Sequence, residues 1–428
     1  MILETIFKEV REIIFNENGF SQYLIRFIIY QTTVYEIILF RIIFAFLYNH
    51  FMTQKIPFRD YHLFSLLEAY DRQTLPLDLF ISHYFREHSS LGSKDRGFLA
   101  ETIYALIRWK GLLEYLAPSS SWQEKYIVYQ TTDLSKMQTR EDIPLHARVS
   151  FPSHLFELFE ECYGVEKAVN LCLINNTTAP TTIRVNRIKT TRDSLFKRWE
   201  GQYKISHTRY SSEGIIFHKK INFFSLPEFK EGLFEVQDEG SQLLAQLVRP
   251  KPGDQVLDYC AGSGGKTLAF APHMEHRGQI YLHDIRPFAL QEAKKRLKRA
   301  GIQNSQILLP NSPQLSKLKK KMNWILVDAP CTGTGTLRRN PDMKWKFDET
   351  VLPRLIGQQR TIFEKALSFL HPEGRIVYGT CSMLNAENQN QLEHFIKTYS
   401  LEMEGEILQT IPAQGEMDGF FGVVLKRA

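Results

Sequence analysis

Residues 254–284 read DQVLDYCAGSGGKTLAFAPHMEHRGQIYLHD. Two short apolar runs each end on an aspartate, Asp258 and Asp284, with a glycine-rich turn and a helical stretch between them. The alternation continues downstream through SQILLP (305–310), NWILVDAP (323–330) and GRIVYGTCS (374–382), with amphipathic stretches such as RPFALQEAKKRLKRAG (286–301) in between. Strands that alternate with helices of this length predict parallel pairing and crossover connections, a doubly wound α/β sheet spanning 237–428. Ligands on such sheets bind beyond the carboxyl ends of the strands. The residues that follow each apolar run are therefore expected along one edge.

The first run is followed by Cys260-Ala261-Gly262-Ser263-Gly264-Gly265-Lys266. The glycines let the backbone come close to a ligand, and the amides opening the next helix favour a polar or anionic group. Asp284, about 20 residues past the glycines, has the spacing of a carboxylate that accepts from ribose hydroxyls. A phosphate-binding loop needs a glycine where Cys260 stands, and a dinucleotide fingerprint needs one where Thr267 stands. S-adenosylmethionine needs the turn and the ribose carboxylate without a phosphate cradle, and it fits best.

Two later strand ends carry cysteines: Asp328-Ala-Pro-Cys331-Thr-Gly-Thr-Gly and Gly379-Thr-Cys381-Ser. A lone cysteine at a strand end is more often core than catalyst. Two of them with an aspartate beside a methyl donor suit one reaction. Cytosine C5 is too weak a nucleophile to attack a sulfonium methyl until a thiolate adds at C6; loss of the C5 proton later expels the thiolate. The target base must leave any stack, so a single-stranded or flipped nucleotide is implied.

Upstream, TTIRVNRI (181–188), GIIFHKKI (214–221) and LFEVQ (233–237) read as strands, and FPSHLFELFEECYGVEKAVNLCLINN (151–176) and RDSLFKRWEG (192–201) as helices. They form a small α+β unit over 149–236. Helical periodicity runs through FSLLEAY (64–70), LFISHYF (79–85) and RGFLAETIYALIRWKGLLEYL (96–116), the last entered near Ser93–Asp95. Residues 117–148 lack periodicity and read as a linker, so a helical bundle with its linker fills 53–148. The Ile/Phe-rich segment 1–52 is broken by Arg26, Glu36 and Arg41, against a membrane span, and lacks a cleavable leader pattern. It reads as an extension that begins upstream of an alternative start at Met52.

Net charge of +6 leans mildly toward an anionic partner. Basic groups fall at Lys294–Arg299, at Lys317–Lys321 and at Arg338, Arg339, Lys344 and Lys346, the last interleaved with Trp345. The first two have an alternative reading as solvated helix faces, whereas the third is expected to face RNA. Five cysteines without a paired spacing exclude a disulfide framework and zinc, and no metal is expected. Together these features point to a cytoplasmic monomer.

The segments LDYCAGSGGKT, ILVDAPCTGTGTLRRNPDMKWK, VYGTCSMLNAENQ and DGFFGVVLKR resemble the Sun (Fmu, RsmB-like) family of ribosomal-RNA cytosine-C5 methyltransferases. FEVQDEGSQL and TTIRVNRIK resemble the segments that lead into its catalytic domain, and the likeness runs from about residue 57 to the end. It implies a Rossmann-like methyltransferase sheet, an RRM-like α+β subdomain and an all-α NusB-like RNA-binding bundle. It further implies Cys381 as nucleophile, Cys331 as the residue assisting release, and Lys266 and Asp328 on the cytosine edge. Cys260 through Lys266, Asp284 and Asp328 would hold S-adenosylmethionine. Where the family carries an acidic residue near adenine this chain has Asn311, and its cofactor loop reads AGSGG where many members have AAPGG. Ribosomal RNA is the expected partner. Transfer RNA, a non-catalytic RNA-binding assembly factor and a P-loop ATPase are the alternatives.

Overall fold

The computed structural model describes residues 56–118 and 121–428; the N-terminal extension proposed for 1–52 lies outside the described residues. The described chain divides into two compact units.

The smaller unit is helical. Helices Phe58–Tyr70, Leu77–Glu87 and Ser93–Arg108 appear where the apolar periodicity places them, the last beginning at Ser93. Its core buries Leu63, Leu66, Leu67, Leu99, Ile103 and Leu113. The linker expected over 117–148 is corrected: helices form at Trp122–Thr131 and Leu134–Met137, and at Leu145–Arg148 in the larger unit. The first packs into the bundle through Trp122 and Val128, with the Trp122 indole N–H donating to Asp71 at 2.6 Å and Tyr126 edge-on to Phe64. Its buried face includes Lys125 and Tyr126, side chains that hide the apolar stripe from a count of hydrophobic residues. The helix start was nevertheless written as Ser121-Trp-Gln-Glu124, and Ser121 Oγ accepts from the Glu124 N–H.

The larger unit holds two sheets. In the first, β1 (Thr181–Val185), β2 (Ile205–His207), β3 (Gly214–Phe217) and β4 (Phe234–Val236) pair antiparallel in the order β2-β3-β1-β4. Helix Arg192–Trp199 covers one face, with Leu195 and Trp199 in a core shared with Ile183, Ile215, Phe217 and Phe234. Strand β2 is three residues long and half-exposed, too short to show an alternating pattern.

In the second sheet, β5 (Gln255–Asp258), β6 (Gln279–His283), β7 (Ser305–Leu308), β8 (Met322–Asp328) and β9 (Leu370–Thr380) are parallel in the order β9-β8-β5-β6-β7. The antiparallel strands β10 (Leu401–Met403), β11 (Leu408–Thr410) and β12 (Phe420–Arg427) complete it, with β12 between β9 and β10. Val256, Leu257, Ile325, Leu326, Val327, Ile376 and Val377 have almost no exposure, as expected for strands covered on both faces. The carboxyl ends of β5, β6, β8 and β9 bring Asp258, Asp284, Asp328 and Cys381 to one edge.

Candidate active site

The turn after β5 owes its shape to two glycines in left-handed conformations, Gly262 (φ +53°) and Gly264 (φ +78°). A Cβ on Gly264 would press against Ala293 of helix Pro287–Ala300 at 3.3 Å. Ala261 is tied to β6 through its N–H and the His283 carbonyl at 2.9 Å, while Arg296 donates to the Ser263 carbonyl and hydroxyl. Arg184 of β1 and Gln237 both donate to the Gly265 carbonyl, so the small sheet buttresses the turn.

Asp284 lies beside this turn and is 4% exposed. It accepts from the Gly262 N–H at 2.8 Å and from the backbone and guanidinium of Arg286. Burial pushes its carboxyl up, but these donors outweigh burial and hold it below the usual range, as an anion. An anion flanking a glycine turn suits a nucleoside ribose. Asn311, in a left-handed turn after β7, is exposed on the neighbouring loop.

Lys266, at the end of the turn, donates to Asp328 at the end of β8 at 2.5 Å. Burial alone would lower the lysine pKa; the charge and hydrogen bond of Asp328 overcome this and raise it, with the neighbouring Cys381 acting more weakly in the same direction. Lys266 is therefore a fixed cation in the neighbourhood of Cys381. The Cys331 and Cys381 sulfurs stand 3.5 Å apart. The contact with Cys381 and burial push the Cys331 thiol well up, which keeps it protonated. Cys260 is also pushed well up, by burial and then by the carboxylates of Asp328, Asp258 and Asp284. It is the wrong thiol for a nucleophile and is placed as part of the turn.

The two cysteine loops interlock. Gly335 N–H donates to the Cys381 carbonyl, Met383 N–H to Thr334 Oγ1, and Gly419 N–H to the Gly335 carbonyl. A Cβ on Gly335 would sit 2.1 Å from the Gly419 oxygen, so only glycine fits there. Residues that sequence reasoning missed hold this arrangement: Glu387, Gln359, Thr332, Ser382 and Asn388, all buried. Glu387 and Asn388 fall inside the quoted VYGTCSMLNAENQ segment, the only signal that could have marked them.

The comparisons bear directly on this edge. Residues 245–426 match the family model "16S rRNA methyltransferase RsmB/F", and residues 151–223 match the ferredoxin-like domain of RsmF/B-like methyltransferases. A probable ribosomal RNA small subunit methyltransferase B from Synechocystis is 30% identical over 310 residues, 68% of this chain and 69% of that protein. The chain belongs to the RsmB/F family. Ribosomal RNA small subunit methyltransferase B of Vibrio vulnificus is 31% identical over 64% of this chain and 66% of its own length. A solved methyltransferase homologue from Pyrococcus horikoshii superposes with a TM-score of 0.58 at 27% identity, covering 66% of this chain and 98% of that one. The fold is that of S-adenosylmethionine-dependent methyltransferases, and the glycine turn with its ribose-side carboxylate fits that cofactor.

In this RsmB/F chain the third basic group is corrected at Arg338, Arg339 and Lys344, whereas Lys346 is exposed beside Asp342. Arg338 is 1% exposed and binds Asp418 together with the carbonyls of Ala413, Glu416 and Met417. Arg339 bridges Asp418 and Asp238, and Lys344 is buried on the Arg108 carbonyl and the Asn176 amide oxygen. These side chains staple the proline-cysteine segment to the rest of the unit; they do not face RNA. A buried cation needs oxygen partners, and the sequence places those 70 to 240 residues away, out of reach of a local reading. In the first group, Arg296 and Arg299 pair with buried Glu235, whereas Lys294, Lys295 and Lys298 are exposed. Lys317, Lys319, Lys320 and Lys321 are exposed as well. Among the described residues no helix is long and apolar enough to cross a membrane, and no group of His, Cys, Asp and Glu could hold a metal.

Proposed function

We propose that this chain methylates C5 of a cytosine in RNA, specifically small-subunit ribosomal RNA, with Cys381 as nucleophile and Cys331 assisting release. The observation that carries the reading is the pair of thiols 3.5 Å apart beside the Lys266–Asp328 ion pair. S-adenosylmethionine supplies an electrophilic sulfonium methyl group. The turn Cys260–Lys266, with Asp284, Asp328 and Asn311, would bind and orient it.

Cys381 adds to C6 through its sulfur and makes C5 enamine-like. Asp328 accepts from the N4 amino group, and Lys266 compensates charge on the ring edge. After transfer, the C5 proton passes to solvent water, its electron pair re-forms the C5=C6 double bond, and Cys381 departs as thiolate with the Cys331 S–H, 3.5 Å away, donating to the leaving sulfur. Ribosomal RNA as substrate is supported by the family description and by the names of the Synechocystis and Vibrio vulnificus relatives. The helical unit is proposed as an RNA-binding module, and the segments 53–148, 149–236 and 237–428 as the domain division.

The test is an adduct trap. Cys331→Ala expressed in cells should give a slow-migrating protein–RNA band on a denaturing gel, absent when Cys381→Ala is added. Sequencing the attached RNA separates ribosomal from transfer RNA. Absence of the band while wild type still methylates cytosine would sink the assignment of the two cysteines. Donor binding with neither band nor methylation would favour the RNA-binding assembly role.

A further inference from the structure

We infer that Glu387 is a positioning residue that sets Cys331 for product release, an inference that rests on the roles proposed above for the two cysteines. Glu387 lies on a short turn, Asn385–Glu387, just past the Cys381 loop, and is 0% exposed. One carboxylate oxygen accepts from the Thr332 N–H at 3.0 Å and from Gln359 Nε2 at 2.9 Å; the other accepts from the Thr332 hydroxyl at 2.5 Å. Gln359, buried on helix Val351–Leu367, also donates to the Pro330 carbonyl at 3.1 Å and accepts from Gln391 at 2.8 Å. Both backbone neighbours of Cys331 are thus held by the Glu387–Gln359 pair.

Cys381 is held by different means. It directly follows β9, whose last residues pair with β8 on one side and β12 on the other, Thr380 lying opposite Phe421. Thr380 and Ser382, flanking it, bond to Asn388. Removing the Glu387 carboxylate therefore acts first on the loop of Cys331, while the sheet, Asn388 and the Gly335 N–H still hold Cys381. A buried carboxylate accepting three donors is an expensive group to keep for packing alone. Its charge also acts on Cys331, adding to the push that keeps this thiol protonated.

The step affected is the elimination: the C5 proton passes to solvent water, its electron pair forms C5=C6, and the C6–S bond to Cys381 breaks with its electron pair left on the Cys381 sulfur, to which the Cys331 S–H donates. Bond formation to C6 and transfer of the methyl precede it and do not need Cys331. Glu387→Gln keeps the shape but turns an amide N–H₂ toward donors. A misplacement of about 1 Å can cost on the order of 100-fold in rate. The expected result is a steady-state turnover down at least about 10-fold, a first turnover reduced far less, and accumulation of the protein–RNA band seen with Cys331→Ala. Adding Glu387→Gln to Cys331→Ala should slow release little further, since Glu387 acts through Cys331.

If Glu387→Gln loses first turnover and steady state together with no band, its role is only structural and the inference falls. Should that variant fail to fold, Thr332→Val, which removes only the hydroxyl donor, must show the same band more weakly; no band there overturns the inference too. The control separates the two levels. If Cys331→Ala gives no band, the proposed cysteine roles fail; if Cys331→Ala gives the band and Glu387→Gln does not, only the role of Glu387 fails.

Discussion

Lys266 closes the glycine turn and meets the carboxylate of Asp328, whereas Lys344, at the far end of the proline-cysteine segment, is 1% exposed and meets the Arg108 carbonyl and the Asn176 amide oxygen. Lys344 also lies 4.4 Å from the centre of the Phe151 ring. Burial acts on both in the same direction, yet the first lysine is raised and the second is pushed well below its ordinary value. The difference is a full negative charge within reach. Beside the glycine turn the chain keeps a lasting ion pair; around Lys344 packing and neutral oxygens take the place of a carboxylate. Charge at the first site is available to a substrate, and charge at the second is committed to architecture.

The comparison can be broken by exchanging effects. Lys266→Met should cut methyl transfer by at least about 100-fold, since it removes a preorganised charge, while shifting the unfolding midpoint little. Arg338→Met should do the reverse. It leaves the Asp418 carboxylate buried without its main partner and costs about 3–5 kcal/mol of stability, with the rate per folded molecule retained. Thermal melts and single-turnover assays on both variants decide. If either variant moves both quantities equally, the separation of roles is wrong.

Asp258 sharpens the contrast because it is a carboxyl on the same edge, held by a hydroxyl rather than a cation. Burial pushes it up to about 7, the Thr267 hydroxyl at 2.6 Å offsetting only part and Asp328 adding to the rise. The unfolded chain releases this proton near pH 4 and the folded chain near pH 7, so stability falls as pH rises through that window and levels off above it. The full span is worth roughly 4 kcal/mol at most. Comparing melting curves from pH 4.5 to 8, the wild type should lose stability toward neutrality relative to Asp258→Asn; parallel curves would refute the assignment. The smallest effect is expected from Lys319→Ala with Lys321→Ala. On a solvated face these should change stability by less than about 0.5 kcal/mol.

Much of this edge was legible in the sequence because its determinants are local. Apolar runs ending in Asp258, Asp284, Asp328 and Cys381 located the strands and the loops that carry the chemistry. Ser121 with Glu124 was an equally local sign, overlooked because the helix it opens buries Lys125 and Tyr126 instead of a plain apolar stripe. Arg338 and Lys344 were misread for the opposite reason: a basic-aromatic string is the same whether its partners are phosphates or distant carbonyls. Glu387 could not be singled out, since its three donors come from Thr332 and Gln359, 55 and 28 residues away.

The contact of Gly335 with Gly419 and Cys381 has a consequence for synthesis on the ribosome. The loop of Cys331 is complete only when residues 418–427 have been made and β12 has slipped between β9 and β10. A nascent chain stopped at residue 400 already holds both thiols, the lysine and the cofactor turn, but not the strand that locks them in register. On the proposed mechanism, a chain that stops before β12 is therefore expected to show no methyl transfer rather than a reduced rate.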